Sequence, residues 1–349
     1  MITTLRWIGF ALGVGVTVGT VIAVIKTLIV PRRSWSLITV SVGRLGYRVF
    51  HRIAGRMRSY DLADRFLGFQ APLVIVGILV SLLFSFVVGY ALMLLPWADL
   101  SAADALRESG SSVFTLGFIS TGEPIPTTLD VSAGATGMIF VALTIGYLPT
   151  IYGEVKTREA LVRQLAGWTG APSWGPEILA RFSLAGAVRR LPRLYETWDT
   201  LAARIAETHI KYPVLTHFRL PRSKTHWLTA LLAVTDAAAL DMAVRPGRDH
   251  AEARMLLRQV TGALDDVAYP MRRVRARLTG PGVSREEFET ALIRLEAAGF
   301  PVEVSAEEAW NTFREAREIY APVAHDLAYW VLAAPAPWSG ERHDFPGLQ

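Results

Sequence analysis

The feature that most constrains this chain is an uninterrupted apolar run of 25 residues, Ala71–Leu95, which carries no charged side chain. A helix of about 20 residues crosses the hydrocarbon core of a bilayer, so this run is long enough to span a membrane with some tilt. Two more runs, Ile8–Ile25 and Ala133–Tyr152, have the same character. A composition of 51% hydrophobic and 19% charged residues agrees with an integral membrane protein. The sequence therefore predicts three transmembrane helices.

The first run allows a second interpretation, because Arg6 precedes Ile8–Ile25 as a basic residue precedes the core of a signal peptide. The run is long for that role and no Ala-x-Ala cleavage signal follows it, so we expect a retained transmembrane helix. Its Gly15 and Gly19 form a small-residue face that either packs against another helix or is merely tolerated in lipid.

The charged residues between the runs predict the orientation of the chain, because positively charged loops stay on the cytoplasmic side. Eight arginines and two aspartates lie between the first two runs, whereas five acids and one arginine lie between the last two. We therefore expect the N-terminus outside, the basic linker inside, the acidic loop outside and the C-terminal half in the cytoplasm. The expected location is a plasma membrane.

Four arginines of the linker recur at every fourth position: Arg44, Arg48, Arg52 and Arg56. On a helix this spacing gives a cationic face beside an apolar one, which suits a helix lying on an anionic leaflet. A voltage sensor needs its arginines inside a spanning helix, and this segment is too polar to span. We predict contacts with anionic headgroups and no nucleic-acid binding, since the charge of the C-terminal half is nearly balanced.

The loop between the last two spans contains its own predicted helix. Ser101 is placed as an N-cap, with Asp104 at the position of a capping box, and Ala102–Phe114 continues the helix. Its 13 residues measure about 20 Å, enough to enter a membrane but not to cross it. A span, a re-entrant helix, an extended segment and a second span form the unit from which cation pores are built, although an ordinary external loop that carries a helix is the alternative.

The segment after this helix has the features of a selectivity filter. The carbonyl oxygens of Thr115, Leu116 and Gly117 would replace the hydration shell of an ion, with the Thr115 hydroxyl as a further oxygen. Gly117 permits the positive φ that such a segment needs. Ser111 and Ser112 are predicted to tie the filter to the helix.

Two motifs carry a family resemblance: Ser111–Phe118, which reads Ser-Ser-Val-Phe-Thr-Leu-Gly-Phe, and Ile145–Thr150, which ends the last span. With them, residues 72–153 resemble the pore module of the two-transmembrane potassium channel family. The whole chain, including residues 207–215, is similar to uncharacterised bacterial proteins of that family with a large cytoplasmic region. The resemblance implies a homotetrameric cation channel whose filter comprises Thr115, Leu116, Gly117 and Phe118.

The sequence departs from that family at Ile119, where potassium channels have a second glycine. A β-branched residue resists the positive φ that glycine allows, so the outermost carbonyl site is expected to be absent or remodelled. A filter with one glycine resembles the potassium transporters of Trk and Ktr type, which carry four such units in one chain. Passage of monovalent cations is therefore better supported than selectivity for potassium.

The last span contributes further candidate residues. Thr144 is a candidate for the lining of the cavity, and Gly146 with Pro149 forms a candidate gate hinge. A helix that simply stops at Pro149 is an equal alternative. Acids of the external loop either concentrate cations at the mouth or are solvated; they are Asp99, Glu123 and Asp130.

The region after Glu154 has a helical pattern with short breaks at proline and glycine. Trp227–Met242 is apolar, but Asp236 and Asp241 interrupt it, so a buried helix is favoured over a fourth span. The other predicted helices cover 177–188, 195–208, 250–278, 284–298 and 306–333. A Rossmann-type regulatory domain is not indicated, because no glycine-rich fingerprint or strand pattern is present.

No signature of an enzyme is present: the chain lacks cysteine, a nucleophile elbow, a P-loop and close metal-ligand spacing. We therefore expect no catalysis, no cofactor and no metal apart from the permeating cation. A cytoplasmic domain would gate or assemble the pore, and a non-conducting scaffold or signalling protein is the alternative. The predicted all-α protein has a transmembrane helix in 1–33, the basic linker in 34–70, the pore module in 71–153, the cytoplasmic domain in 154–333 and a loose tail in 334–349.

Overall fold

A computed structural model describes residues 2–30, 36–97, 100–269 and 282–338. Within these ranges every regular element is helical, which confirms the all-α prediction. The chain divides into two compact units. The first comprises Met1–Val49 and Gln70–Gly153, and the second comprises Phe50–Phe69 and Glu154–Gln349.

The helices of the first unit are α1 (Ile2–Val24), most of α2 (Leu37–Ala54), α4 (Gln70–Leu94), α5 (Ala102–Val113) and the first part of α6 (Pro124–Thr169), with a π-helical turn after α1 at Ile25–Ile29. The second unit contains the end of α2 and then α3 (Tyr60–Leu67), the end of α6, α7 (Gly175–Leu184), α8 (Leu191–Lys211), α9 (Trp227–Val244), α10 (Ala251–Ala268), α11 (Arg285–Ala297), α12 (Ala306–Glu318) and α13 (Ala321–Trp330).

Helices long and apolar enough to cross a membrane include the three predicted spans, on α1, α4 and α6, and also α9. Burial separates α9 from the others. The apolar windows of α1, α4 and α6 are 22%, 39% and 17% buried, whereas that of α9 is 94% buried. Helix α9 is therefore the core helix of the second unit, as its two aspartates predict, and the other three present apolar surface that lipid or another chain can cover.

Helices α1 and α4 approach each other closely at glycines. A Cβ atom built on Gly13 would lie 2.6 Å from the Gly89 carbonyl oxygen, so only glycine fits at this crossing. Gly15 and Gly19 form the small-residue face that the sequence indicates. A Cβ atom built on either of them would have no other atom within 4 Å. The packing face of α1 thus follows Gly9 and Gly13 and does not include the pair identified from the sequence.

The third span is part of a much longer helix than predicted. Helix α6 comprises 46 residues, Pro124–Thr169, and Pro149 lies inside it. The interpretation of Pro149 as a helix stop is therefore wrong. Proline removes one backbone donor, and a helix tolerates it where neighbouring polar side chains bond the nearby carbonyls. Here the Thr150 hydroxyl donates to the Gly146 carbonyl oxygen at 3.0 Å.

In the second unit, α9 lies at the centre and packs against α7, α8, α10, α12 and α13. Both of its aspartates are buried with partners. Asp236 accepts hydrogen bonds from Arg317 at 3.0 Å and from the Tyr320 hydroxyl at 2.5 Å. Asp241 accepts bonds from Arg245 and, at 3.0 Å, from the Tyr195 hydroxyl. Pairing of this kind allows a buried helix to carry two carboxylates.

The predicted linker of residues 34–70 is not one element. Its second half belongs to the second unit, where Phe50, Ala54, Ala63 and Leu67 form a small buried cluster. The beginning of the predicted loose tail is also packed. The Trp338 side chain is 5% exposed, and its carbonyl oxygen accepts a bond from Arg317. An aromatic ring and a paired carbonyl fix this stretch, and residues 339–349 lie outside the described residues.

Candidate functional site

The site predicted as a filter begins with a helix that is capped as expected. The Ser101 hydroxyl accepts a hydrogen bond from the Asp104 backbone N–H at 3.2 Å, so α5 begins at Ala102. Helix α5 ends at Val113, one residue before the predicted end. Its Ser109 hydroxyl donates to the Val87 carbonyl oxygen of α4 at 2.7 Å. A buried serine therefore fastens α5 to the preceding span.

On its other side, α5 is held against α6 by a polar bond and a close backbone approach. The Ser112 hydroxyl donates to Asp130 Oδ1 at 2.7 Å. A Cβ atom built on Gly137 would overlap the Val113 carbonyl group and lie 2.9 Å from its carbon. Helix α5 thus has a fixed position between the two helices that flank it in sequence.

The segment after α5 directs a run of backbone donors toward a single residue, Ser111. The N–H groups of Leu116 and Gly117 donate to the Ser111 carbonyl oxygen, at 2.8 and 3.3 Å. Those of Phe118 and Ile119 donate to the Ser111 hydroxyl oxygen, at 3.0 and 3.4 Å. Ser111, in the last turn of α5, therefore accepts hydrogen bonds from four consecutive backbone N–H groups of the loop.

The carbonyl oxygens of the same loop are free. Within the described part of the chain, no hydrogen bond ends on the carbonyl oxygens of Thr115, Leu116, Gly117 or Phe118, and all four residues are exposed. The loop thus has its backbone donors on the side of Ser111 and its free carbonyl oxygens on the opposite side, which is the arrangement that a carbonyl-lined ion path requires. The Thr115 hydroxyl donates to the Phe114 carbonyl oxygen at 2.7 Å, which keeps its own oxygen lone pairs available.

Two positive φ angles produce this polarity. Gly117 has φ 65°, as its residue type suggests, and Thr115 has φ 57°, which its sequence does not predict. A β-branched residue in the left-handed region carries strain of about 1 kcal/mol or more. Ile119 is not among the residues with positive φ, in keeping with its β-branched side chain.

The end of the loop that is farther along the chain is attached to α5 by Glu108, an acid to which the sequence analysis assigns no role. Glu108, 0% exposed, accepts the Thr121 backbone N–H through Oε1 at 2.9 Å. Asp130 is half-buried and bonded to Ser112, so its interpretation as a solvated loop acid is wrong. Glu123 is exposed, and Asp99 lies outside the described residues.

The remaining candidates of the pore module lie on α6. The Thr144 hydroxyl donates to the Phe140 carbonyl oxygen of its own helix at 2.9 Å. Gly146 is exposed, with no atom within 4 Å of the position that a Cβ would take, and Pro149 is exposed one turn later. This stretch of α6 therefore has space for a change of helix direction, and the hinge stays a prediction.

The arginines of the linker lie on an exposed helical face. Arg44, Arg48 and Arg52 belong to α2, and Arg56 follows its end; all four are exposed. Beside them, Leu45, Val49 and Ile53 are 62%, 44% and 40% exposed. A cationic stripe next to an uncovered apolar stripe is the arrangement expected of a helix at a membrane surface.

Four histidines of the second unit are buried: His209, His226, His250 and His325. His209 Nδ1 donates to the Ile205 carbonyl oxygen at 2.9 Å and its Nε2 accepts from Arg158. Burial lowers the pKa of His209 and of His217 to about 3, so both are neutral at physiological pH. No group of three or more metal-ligating side chains occurs among the described residues.

Comparison with known proteins adds no relative: no family model, curated protein or solved structure matches this chain.

Proposed function

We propose that four copies of this chain form a potassium-channel-like pore that conducts monovalent cations, with K⁺ as the favoured ion. The filter would comprise Thr115, Leu116, Gly117 and Phe118, supported by Ser111 and Ser112. No enzymatic activity and no cofactor is part of the proposal. The chain would lie in a bacterial plasma membrane with its second unit in the cytoplasm, where that unit gates or assembles the pore.

One observation carries this proposal: the division of the loop into bonded donors and free acceptors. Peptide groups that bond to Ser111 on one side must direct their carbonyl oxygens to the other, where a dehydrated cation needs oxygen ligands. An ordinary external loop has no reason to align four carbonyl groups. The C-terminal end of α5 points its partial negative charge toward the same place, which further favours a cation.

The exposed side chains of the loop support an assembly of several copies. Phe114, Leu116 and Phe118 are 54%, 65% and 66% exposed in a single chain. Irregular backbone at membrane depth persists only where protein or a water-filled path surrounds it. Neighbouring copies around an axis would cover the apolar side chains and leave the carbonyl oxygens to face the path. One filter loop per chain makes a fourfold closed ring the matching symmetry.

The selectivity of this filter would rest on few carbonyl rings. With no positive φ at Ile119, the loop lacks the outer continuation that a second glycine would allow. Fewer oxygen rings discriminate less between ions of similar size. We therefore expect Na⁺ to pass measurably, although more slowly than K⁺.

Flux through proteoliposomes tests the proposal. Purified protein should pass K⁺, and Gly117→Ala should abolish the flux because alanine resists φ 65°. Gly15→Ala is the matched control, since a Cβ there meets no atom within 4 Å and lies far along the sequence from the loop. A monomer or dimer without flux in several lipids and at several pH values would contradict the pore and favour the membrane-anchored scaffold.

We also propose that α2 binds anionic headgroups through Arg44, Arg48, Arg52 and Arg56. Their side chains are exposed beside the uncovered apolar stripe, and each such charge near an anionic surface contributes about 1 kcal/mol. Native mass spectrometry of protein purified with its lipids should detect retained anionic phospholipid, and replacing all four arginines by glutamine should remove it. Retention by that variant equal to that of the wild type would refute the lipid contact.

A further inference from the structure

Two carboxyl groups behind the loop, that of the buried Glu108 and that of the half-buried Asp130, each have one buried oxygen without a hydrogen-bond partner. Glu108 uses Oε1 to accept the Thr121 N–H, and its Oε2 is buried without a partner. Asp130 uses Oδ1 to accept the Ser112 hydroxyl, and its Oδ2 is buried without a partner. A buried carboxylate oxygen left in this state costs free energy, so each orphaned oxygen requires an explanation.

The two carboxyl groups are neighbours. The Ser112 hydroxyl lies 3.1 Å from the Glu108 carbonyl oxygen and 2.7 Å from Asp130 Oδ1, so the two residues meet at the last turn of α5, where the charge of Asp130 acts on Glu108. A hydrogen bond between two carboxyl groups exists only if one of them carries a proton, because two carboxylates contain acceptors alone. Two buried carboxylates in one site also repel each other strongly when both are ionised. One proton placed between them satisfies both orphaned oxygens at once.

In the described part of the chain, no basic side chain is among the groups that act on Glu108. On α5 the nearest base in sequence is Arg107, which is exposed and interacts with Asp104. Helix α4 contributes Tyr90, whose hydroxyl bonds to the Ser132 carbonyl oxygen and the Thr136 hydroxyl. On α6, the other acid near the loop is Glu123, which is exposed. The charge of the pair is therefore balanced by a proton and not by an arginine or lysine.

We propose that Glu108 carries a proton at neutral pH and donates it to Asp130, and that this bond positions the filter loop between α5 and α6. The shared proton completes a chain of bonds from the Thr121 N–H, through Glu108 and Asp130, to the Ser112 hydroxyl. The chain joins the outer end of the loop to the end of α5 that precedes it. Both residues are positioning residues; only their effect on conduction rests on the proposed pore.

Infrared spectroscopy of the whole protein in lipid tests the proton itself. A protonated carboxyl group has a C=O stretch distinct from the carboxylate bands, and the wild type at neutral pH should show it. Glu108→Gln and Asp130→Asn should each remove that band, because an amide supplies the bridging donor and leaves the other residue ionised. Glu123→Gln is the matched control and should retain the band, since Glu123 is exposed and is not part of the pair.

Two results would overturn the proposal: a wild-type spectrum without the protonated band, or a band that survives in both variants. Each variant should elute from a gel-filtration column at the position of the wild-type oligomer, which verifies that it is folded. Flux gives a second readout. Raising the pH should remove the proton and reduce wild-type flux, whereas Glu108→Gln should conduct independently of pH. A protein with the band but without any flux would refute the pore and leave the shared proton standing.

Discussion

The close approach of α6 to the end of α5 makes Gly137→Ala the most informative substitution. A Cβ at Gly137 would lie 2.9 Å from the Val113 carbonyl carbon, 3.4 Å from its Cα and closer still to its oxygen. Carbon atoms in contact are about 3.5 Å apart, so the carbonyl carbon alone demands that the helices separate by at least ~0.6 Å. The obstacle is backbone, which cannot rotate away as a side chain can.

Overpacking of this kind costs about 1–3 kcal/mol, and a rigid backbone obstacle places Gly137→Ala at the upper end, near 3 kcal/mol. Val113 is the last residue of α5, so the separation also displaces the loop that follows it. We therefore expect a melting temperature lowered on the order of 10 °C and a reduced cation flux from the same variant.

Gly134→Ala is the matched control, because Gly134 lies on the same helix and faces the same partner. Its Cβ would lie 3.4 Å from the Ser112 carbonyl oxygen, an ordinary contact. Replacing a helical glycine that has space stabilises by about 0.5–1 kcal/mol, so this variant should melt no lower than the wild type. Equal melting curves for Gly137→Ala and Gly134→Ala, measured in the same detergent, would refute the close approach.

Three further predictions concern the loop, the α1–α4 crossing and a buried histidine. Ser111→Ala removes the hydroxyl that accepts two loop N–H groups, which should cost about 1–3 kcal/mol and relax the K⁺/Na⁺ flux ratio; an unchanged ratio would contradict its role in the filter. Gly89→Ala places a Cβ against Thr17, 3.2 Å from its backbone nitrogen, so unfolding in detergent should become easier by about 1–3 kcal/mol, whereas Gly15→Ala should not do so. Because burial lowers the pKa of His209 to about 3, the unfolded chain takes up a proton there between pH 6.5 and 3 while the folded chain does not. Stability should fall as the pH falls through this window, by up to about 1.4 kcal/mol per pH unit for this residue, and His209→Gln should flatten that slope in melts at pH 7 and pH 5.

The parts of this site that are predictable from sequence depend on neighbouring residues. A serine before a helix, with an acid three residues later, identifies the start of α5, and the observed cap at Ser101 agrees. Gly117 adopts the positive φ that its residue type allows. Two aspartates within an apolar run indicate that α9 is not a membrane span, and its near-complete burial agrees with that interpretation.

The features of the site that the sequence does not predict depend on contacts between residues that are distant in the chain. Glu108 and Asp130 are 22 positions apart, and nothing next to either of them in the sequence indicates that they meet. Only the packing of α5 against α6 brings them together. Pro149 misleads for a related reason, since proline is a strong local signal for a helix end and the helix continues where other bonds compensate. The packed start of the tail depends on Arg317, which is remote from it in sequence.

The free carbonyl groups of residues 115–118 give the loop a negative electrostatic surface that is made of peptide dipoles. Peptide dipoles do not titrate, so their own contribution to the attraction for a cation should be the same in acidic and alkaline solution. Acids at a channel mouth lose their charge on protonation, and their attraction disappears with it. The loop therefore has two properties with separate origins. The backbone dipoles set the affinity of the oxygens for an ion, and this contribution is independent of pH. The surrounding side chains, Ser111 among them, control the shape of the loop.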